Sequence, residues 1–295
     1  MCDTQERKHS TSPKEEKILR GREIAEKIFK SLKKEVEALD SRPVLADIVV
    51  GDDLPSQIYI KMKEKAASKI GIELKKFHFS KDINEETLIK HIKFLNSSSH
   101  VHGIVLERPL PSHLNYWKIV SEMSDKKDVE GVHPLNLGSL ILGKERIPTA
   151  TAVGVVTLLE ELPLKLEGAS ITIINHSPIV GRPLAEMFLN RNATVSVCHI
   201  FTKNLTSFTK KSHIIVVGVG IPQFLKKDMV PEGCIVIDVG FNKREDGRVC
   251  GDADFEALKE KVRYITPVPG GVGPMTVAAL MKNCLTLYKR QNEKM

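Results

Sequence analysis

Short apolar runs alternating with helix-length amphipathic segments constrain this chain more than any other feature. The run VLADIVV at Val44–Val50, introduced by Pro43, suits a strand buried on both faces. Lys75–Ser80 reads as a second strand and Gly103–Leu106 as a third, with a helix over Asn84–Asn96 between them. An entry helix over Ile18–Leu39 precedes them, with Ile24, Ile28 and Leu32 on one face. Strand and helix in alternation predict an α/β fold with a parallel sheet, whose ligands lie beyond the carboxyl ends of the strands. A chain of 295 residues, 41% hydrophobic, is long enough for two lobes.

The segment after the first strand, GDDLPSQIYIKMKEKAASKIGI, places one lysine where it can do chemistry. Ser56 after Pro55 is expected to cap a helix that Gly71 ends, with Ile58, Met62, Ala66 and Ile70 on the core face. Tyr59 and Lys63, four residues apart, stand one turn above each other at the edge of that stripe. Partial desolvation there lowers a lysine pKa towards the range useful for proton transfer. A solvated lysine is the ordinary alternative, since Lys61, Lys65 and Lys69 share the helix. Glu107 after the third strand and Glu130 in KDVEG are candidate partners, each with surface carboxylate as its plain alternative.

A second lobe is expected after a connection over Pro148–Gly154 and a crossing helix over Val155–Leu162. Strand Ile171–Ile174, turn Asn175–Pro178, helix Ile179–Asn190 and strand Thr194–Cys198 form a βαβ unit of dinucleotide-binding size. The unit lacks GxGxxG, keeping Gly181 near the helix start, and no acid closes its second strand, where Cys198, His199, Ile200 and Phe201 stand. Nucleotide binding and plain α/β scaffold are both open on this unit alone. Further strands are read at Ile214–Val219 and Cys234–Val239. The stretch ITPVPGGVGPMTVAALM, Ile265–Met281, packs proline and glycine into a loop whose backbone can approach a ligand, ahead of a last apolar helix.

The net charge of +7 is spread over helix faces with acids between, and 5% aromatic content leaves little to stack bases on. Nucleic-acid binding is therefore not expected; solvated surface, then a phosphate- or polyglutamate-bearing small molecule, accounts for the charge. Five scattered cysteines argue against disulfides or zinc, and no metal is expected. No apolar run has membrane-spanning length, residues 1–17 read as a disordered tail, and the setting predicted is cytoplasmic.

VGDD followed by Tyr59-x-x-x-Lys63, PLPS at Pro109–Ser112, KDVEG with HPLN after it, SPIVGRP at Ser177–Pro183, VIDVG at Val236–Gly240 and ITPVPGGVGPMT stand in one order over Ile18–Leu287. In these motifs the chain resembles the FolD-type 5,10-methylenetetrahydrofolate dehydrogenase/5,10-methenyltetrahydrofolate cyclohydrolase family. The resemblance implies a folate-binding lobe over residues 18–149, a Rossmann-like NADP lobe over 150–271 and a helix over 272–290 returning to the first lobe. It also implies a homodimer acting on tetrahydrofolate derivatives, polyglutamylated forms among them. It makes Lys63 the central proton-transfer residue, with Glu107 and Glu130 beside it, and sets Tyr59 against the folate. Pro269, Gly270, Gly271 and Val272 would line the folate pocket, and Asn175, His176, Ser177, Ile200 and Phe241 would lie near the cofactor.

The departures from the family pattern carry expectations of their own. Glu107 stands where the family has glutamine, and a carboxylate there raises the Lys63 pKa and weakens hydrolysis unless Arg108 claims it. Glu130 replaces an aspartate. Asn175-His176-Ser177 replaces GRS and Ile200 a serine, which predicts weaker NADP binding and admits NAD. Ala150-Thr151-Ala152 replaces Cys-Thr-Pro. A bifunctional enzyme leads; dehydrogenase alone and a non-catalytic folate-binding paralogue are the alternatives.

Overall fold

The computed structural model describes residues 17–51, 54–244 and 246–292, without the side chains of residues 54–58. The tail read over residues 1–17 lies, up to residue 16, outside the described residues. Helix α1 (Gly21–Glu37) leads into β1 (Val44–Val50), α2 (Leu54–Ile70), β2 (Glu73–Phe79), α3 (Glu85–Ser97) and β3 (Gly103–Leu106). Short helices α4 (Tyr116–Ser121) and α5 (Pro134–Ile141) follow, then the crossing helix α6 (Ala150–Glu160). The second half runs β4 (Ser170–Ile174), α7 (Gly181–Leu189), β5 (Thr194–Cys198), α8 (Leu205–Thr209), β6 (Ile214–Val217) and β7 (Ile235–Asp238). A small hairpin of β8 (Asn242–Lys243) and β9 (Val249–Cys250), then α9 (Phe255–Leu258), β10 (Tyr264–Ile265) and the long α10 (Val272–Asn292) complete it.

Two parallel sheets result, a three-stranded one in the order β2-β1-β3 and a five-stranded one in the order β10-β7-β6-β4-β5. Parallel strands are stable when helices cover both faces, and strands β1, β3, β6 and β7 are buried almost throughout. The α/β class and two-lobed layout expected from the alternation are those observed. Boundaries differ in instructive ways. Helix α2 begins at Leu54, so Ser56 lies inside its first turn instead of capping it. Its C-terminal side follows the expected stripe, with Ala66 and Ile70 buried and Met62 packed against them, while the side chain of Ile58 lies outside the description. Helix α6 starts at Ala150, within the stretch read as a connection, because Ala150, Ala152, Val155 and Val156 form a buried face that outweighs the poor helix propensity of Gly154.

Helices α6 and α10 fasten the sheets to each other. Val277, Ala278, Met281, Cys284 and Leu285 of α10 are buried in one apolar cluster with Ala152, Val155 and Val156 of α6 and Ala25, Phe29 and Leu32 of α1. Fully burying the larger of these, such as Val277, Met281, Leu285, Val155 and Phe29, contributes about 1.5–3 kcal/mol each. Asn283 Nδ2 donates to the Val129 carbonyl at 2.9 Å and the Pro148 carbonyl at 3.2 Å, so the last helix also holds the loop that carries Glu130.

Candidate functional site

Lys63 is among the largest of the fully buried side chains in the described residues, at 1% exposure, and its ammonium is held by two carboxylates. Its Nζ donates to Asp47 Oδ1 at 2.9 Å and also to Glu107. Asp47 stands on β1 and Glu107 directly after β3, the strand paired with β1, so the parallel register carries both carboxylates to the same end of the sheet. Helix α2, lying over that end, delivers Lys63 between them. Burial lowers the Lys63 pKa, but Glu107 and Asp47 outweigh it and hold the ammonium above the ordinary lysine range. Desolvation pushes Glu107 up, Lys63 pulls it down, and Asp47 and Glu130 push it up again, leaving it raised.

Tyr59, Lys63, Glu107, Arg108 and Glu130 line one cavity of about 70 Å³, closed by Val132, Ile179, Val180 and Leu280. Burial lifts Glu130 to about 7, against the pull of Arg108 and Lys63. The hydrogen bond of Glu107 goes to Lys63, while the Arg108 guanidinium lies over the Tyr116 ring at 5.4 Å from its centroid. Asp128 organises the loop that presents Glu130, accepting from Gly131 N at 2.9 Å, His133 N at 2.7 Å and Asn136 Nδ2 at 2.9 Å. Burial also raises the Tyr59 hydroxyl, which the Thr276 side chain partly offsets. Two carboxylates and a lysine around a small closed cavity can hold, give and accept a proton beside a bound organic group.

A second cavity of about 270 Å³ shares Tyr59, Thr151, Val180 and Thr276 with the first and opens outward between the lobes. Pro269, Gly270, Gly271 and Val272 form one wall, and Val239, Gly240 and Phe241 another. The loop is backed by α1: Arg22 N donates to the Gly270 carbonyl at 3.0 Å, and a methyl group on Gly21 would lie 2.1 Å from the Gly271 carbonyl oxygen. Asp238 shapes the other wall, accepting from the backbone N–H of Gly240, Asp252 and Ala253 at 2.7–3.0 Å, and burial raises its pKa to about 6.

In the five-stranded sheet the order reverses between β4 and β6, and a dinucleotide binds at such a switch point, at the carboxyl ends of the strands. Asn175, His176 and Ser177 form the turn there. Asn175 is spent on the turn itself: its Oδ1 accepts from Ser177 N at 2.8 Å and Gly181 N at 3.0 Å, and its Nδ2 donates to the Gly218 carbonyl. A methyl group on Gly181 would sit 1.9 Å from the Asn175 carbonyl oxygen, so the first turn of α7 requires glycine to close this tightly. His176 is exposed beside His199, whereas Ile200, 87% exposed, lines none of these cavities.

Asp47, Thr276 and Asp238 carry no site role in the sequence reading, where Arg108 enters only as a rival partner for Glu107. A lone aspartate inside the apolar run VLADIVV is the signal for the first, since a carboxylate in a strand covered on both faces requires a partner. Among the described residues, no group of His, Cys, Asp or Glu is placed to hold a metal, and no helix is long and apolar enough to cross a membrane.

Comparison with known proteins agrees with this geometry. Residues 19–130 match the family model for the tetrahydrofolate dehydrogenase/cyclohydrolase catalytic domain, and residues 149–292 match that for its NAD(P)-binding domain. The "Bifunctional protein FolD" of Nautilia profundicola is 44% identical, over 92% of this chain and 97% of its own length. A crystal structure of the Campylobacter jejuni bifunctional FolD methylenetetrahydrofolate dehydrogenase/cyclohydrolase superposes with a TM-score of 0.91, at 44% identity and over 92% of this chain and 98% of that one. The Trypanosoma brucei N5,N10-methylenetetrahydrofolate dehydrogenase-cyclohydrolase, solved with NADP cofactor and an inhibitor, gives a TM-score of 0.90 at 32% identity, covering 94% and 98%.

Proposed function

Because the chain belongs to the tetrahydrofolate dehydrogenase/cyclohydrolase family, we propose that it oxidises 5,10-methylenetetrahydrofolate with NADP and hydrolyses the methenyl product to 10-formyltetrahydrofolate. The observation that carries this reading is Lys63, buried with its ammonium on Asp47 and Glu107 in a closed cavity that adjoins the opening between the lobes. Relatives of similar length throughout favour the bifunctional reading over dehydrogenase alone or a non-catalytic paralogue.

The two adjoining cavities fit a flat substrate whose reactive end lies inward. Tyr59 borders both cavities, and the backbone of residues 267–272 forms the outer wall, so the substrate ring is held against an aromatic face and a stiff loop. Glu130 and Arg108 are placed to grip polar edges of that ring, and Lys63, in its neutral form, is placed to take the proton released when water adds to the methenyl bridge. Val132, Ile179, Val180 and Leu280 exclude bulk water from the inner end. NADP, when bound, supplies the hydride acceptor. The residues fit that cofactor: the tight turn at Gly181, the bare Gly218 and Gly220, the basic His176 and Arg182, and no carboxylate at the end of β5.

The test is a time course with 5,10-methylenetetrahydrofolate and NADP in which reduced cofactor and methenyl intermediate are followed separately. Cofactor reduction without methenyl build-up is expected, and Lys63→Met should abolish hydrolysis. No reduction with NADP or NAD would refute the reading. We propose a homodimer that pairs the two chains through the open edge of β5. Light scattering at twice the chain mass is the result expected, and a monomer at micromolar concentration would refute it. The cytoplasm is the proposed setting, in keeping with the free thiols of Cys198, Cys234, Cys250 and Cys284; fractionation with a tagged chain checks it.

A further inference from the structure

A dinucleotide laid across the carboxyl ends of β4 and β6 turns its adenosine ribose towards the end of β5. An acid there would bind the ribose diol of NAD, and this chain has none: Cys198 is followed by His199, Ile200 and Phe201. Instead, His176 from the turn after β4 and His199 from the end of β5 face each other, with ring centroids 5.0 Å apart. Both line a cavity of about 640 Å³ together with Arg182 and Glu186 from α7, while α5 contributes only the apolar Leu137, Leu140 and Ile141 and the bare Gly138.

The two rings are not equivalent. His199 Nδ1 accepts the Phe201 N–H at 3.2 Å, which leaves Nε2–H as the ring's donor. The His176 ring makes no hydrogen bond among the described residues; only its carbonyl is engaged, by Arg182 Nε at 3.1 Å. Protonation therefore adds a charged donor at His176 without breaking an existing contact. Imidazole changes charge between about pH 5 and 8, and a phosphate monoester is largely dianionic above about pH 6. A phosphate on the adenosine ribose would meet Arg182, the His199 Nε2–H donor and a His176 ring whose charge depends on pH, with Glu186 as the one opposing group in the cavity.

We propose that His176 takes up a proton when NADP binds and so makes the preference for NADP over NAD pH-dependent, an inference that rests on the dinucleotide reading above. The test is calorimetric titration of the whole chain with NADP and with NAD, at pH 7.5 in two buffers of different ionisation enthalpy and then from pH 6.5 to 8.5. Proton uptake with NADP alone is expected, and the NADP Kd should rise by up to about tenfold per pH unit while that of NAD stays flat. His176→Arg should keep NADP tight at pH 8.5 with no uptake, and His176→Gln should give weak, pH-independent NADP binding. NADP binding without proton uptake, or uptake that survives His176→Gln, overturns the inference and leaves the dinucleotide reading standing. Failure of both dinucleotides to bind overturns the two together.

Discussion

Replacing Glu107 with glutamine tests how the buried lysine is charged. Three carboxylates, Asp47, Glu107 and Glu130, surround two cations, Lys63 and Arg108, so the cluster has one negative charge in surplus when all are ionised. Glu107 is the carboxylate whose loss leaves Lys63 paired, because Asp47 Oδ1 remains 2.9 Å from Nζ. A carboxylate this close shifts a lysine by about 1–3 pKa units, or about 1.4–4 kcal/mol. Burial already acts to lower Lys63, and Glu107 has the larger effect of the two acids that oppose it. With Glu107→Gln the lysine therefore falls by about that much, and the neutral amine at a given pH below its pKa grows by about 10- to 1000-fold. The assay is the pH–rate profile for hydrolysis of purified 5,10-methenyltetrahydrofolate. The rising limb should move to lower pH by about 1–3 units in the variant, with faster hydrolysis near neutrality. An unmoved limb, or slower hydrolysis at every pH, would show that Glu107 does not set the charge on Lys63.

Glu130 and Gly21 supply two further tests. The folded-state pKa of Glu130, about 7, lies above its ordinary value of 4.5, so its contribution to stability is complete below about pH 4.5 and is lost as pH rises through 7. Glu130→Gln should thus raise stability at pH 8 by on the order of 1–3 kcal/mol and leave it unchanged at pH 4, while turnover falls; melting curves at the two pH values decide it, and equal shifts would refute it. Gly21→Ala drives a methyl group to 2.1 Å from the Gly271 carbonyl oxygen, so the loop of residues 267–272 must move. KM for the folate substrate should rise at least several-fold with secondary structure retained, since misplacement by an ångström is costly at such a wall; an unchanged KM would mean that the loop does not contact substrate.

What the sequence shows of this site follows the range over which its residues interact. Tyr59 and Lys63 are legible because one helical turn joins them, and Glu107 and Glu130 because each follows an apolar strand or a tight loop motif. Thr276 is not legible: it reaches Tyr59 only because α10 folds back across the first lobe, and no local spacing records that return. Asn175 shows the converse, a polar residue in the expected cofactor turn whose hydrogen bonds close the turn itself. The departures from the family pattern share a chemical direction that neither lobe shows alone. Where the family pattern has glutamine and arginine, groups that keep one charge state across the physiological range, this chain has Glu107 and His176, a carboxylate and an imidazole. On the functional reading proposed above, the carboxylate beside Lys63 acts on the proton-transfer step and the imidazole in the other lobe acts on the 2′-phosphate. They oppose each other: rising pH frees the lysine for hydrolysis and discharges the imidazole that favours NADP. The two activities should therefore separate along the pH axis, with NADP-linked oxidation favoured on the acid side of hydrolysis, and Glu107→Gln with His176→Arg should bring them back together by removing both titrations. Stopped-flow measurement of each step from pH 6 to 9 in the wild type and the double variant checks this, and coincident optima in the wild type would refute it.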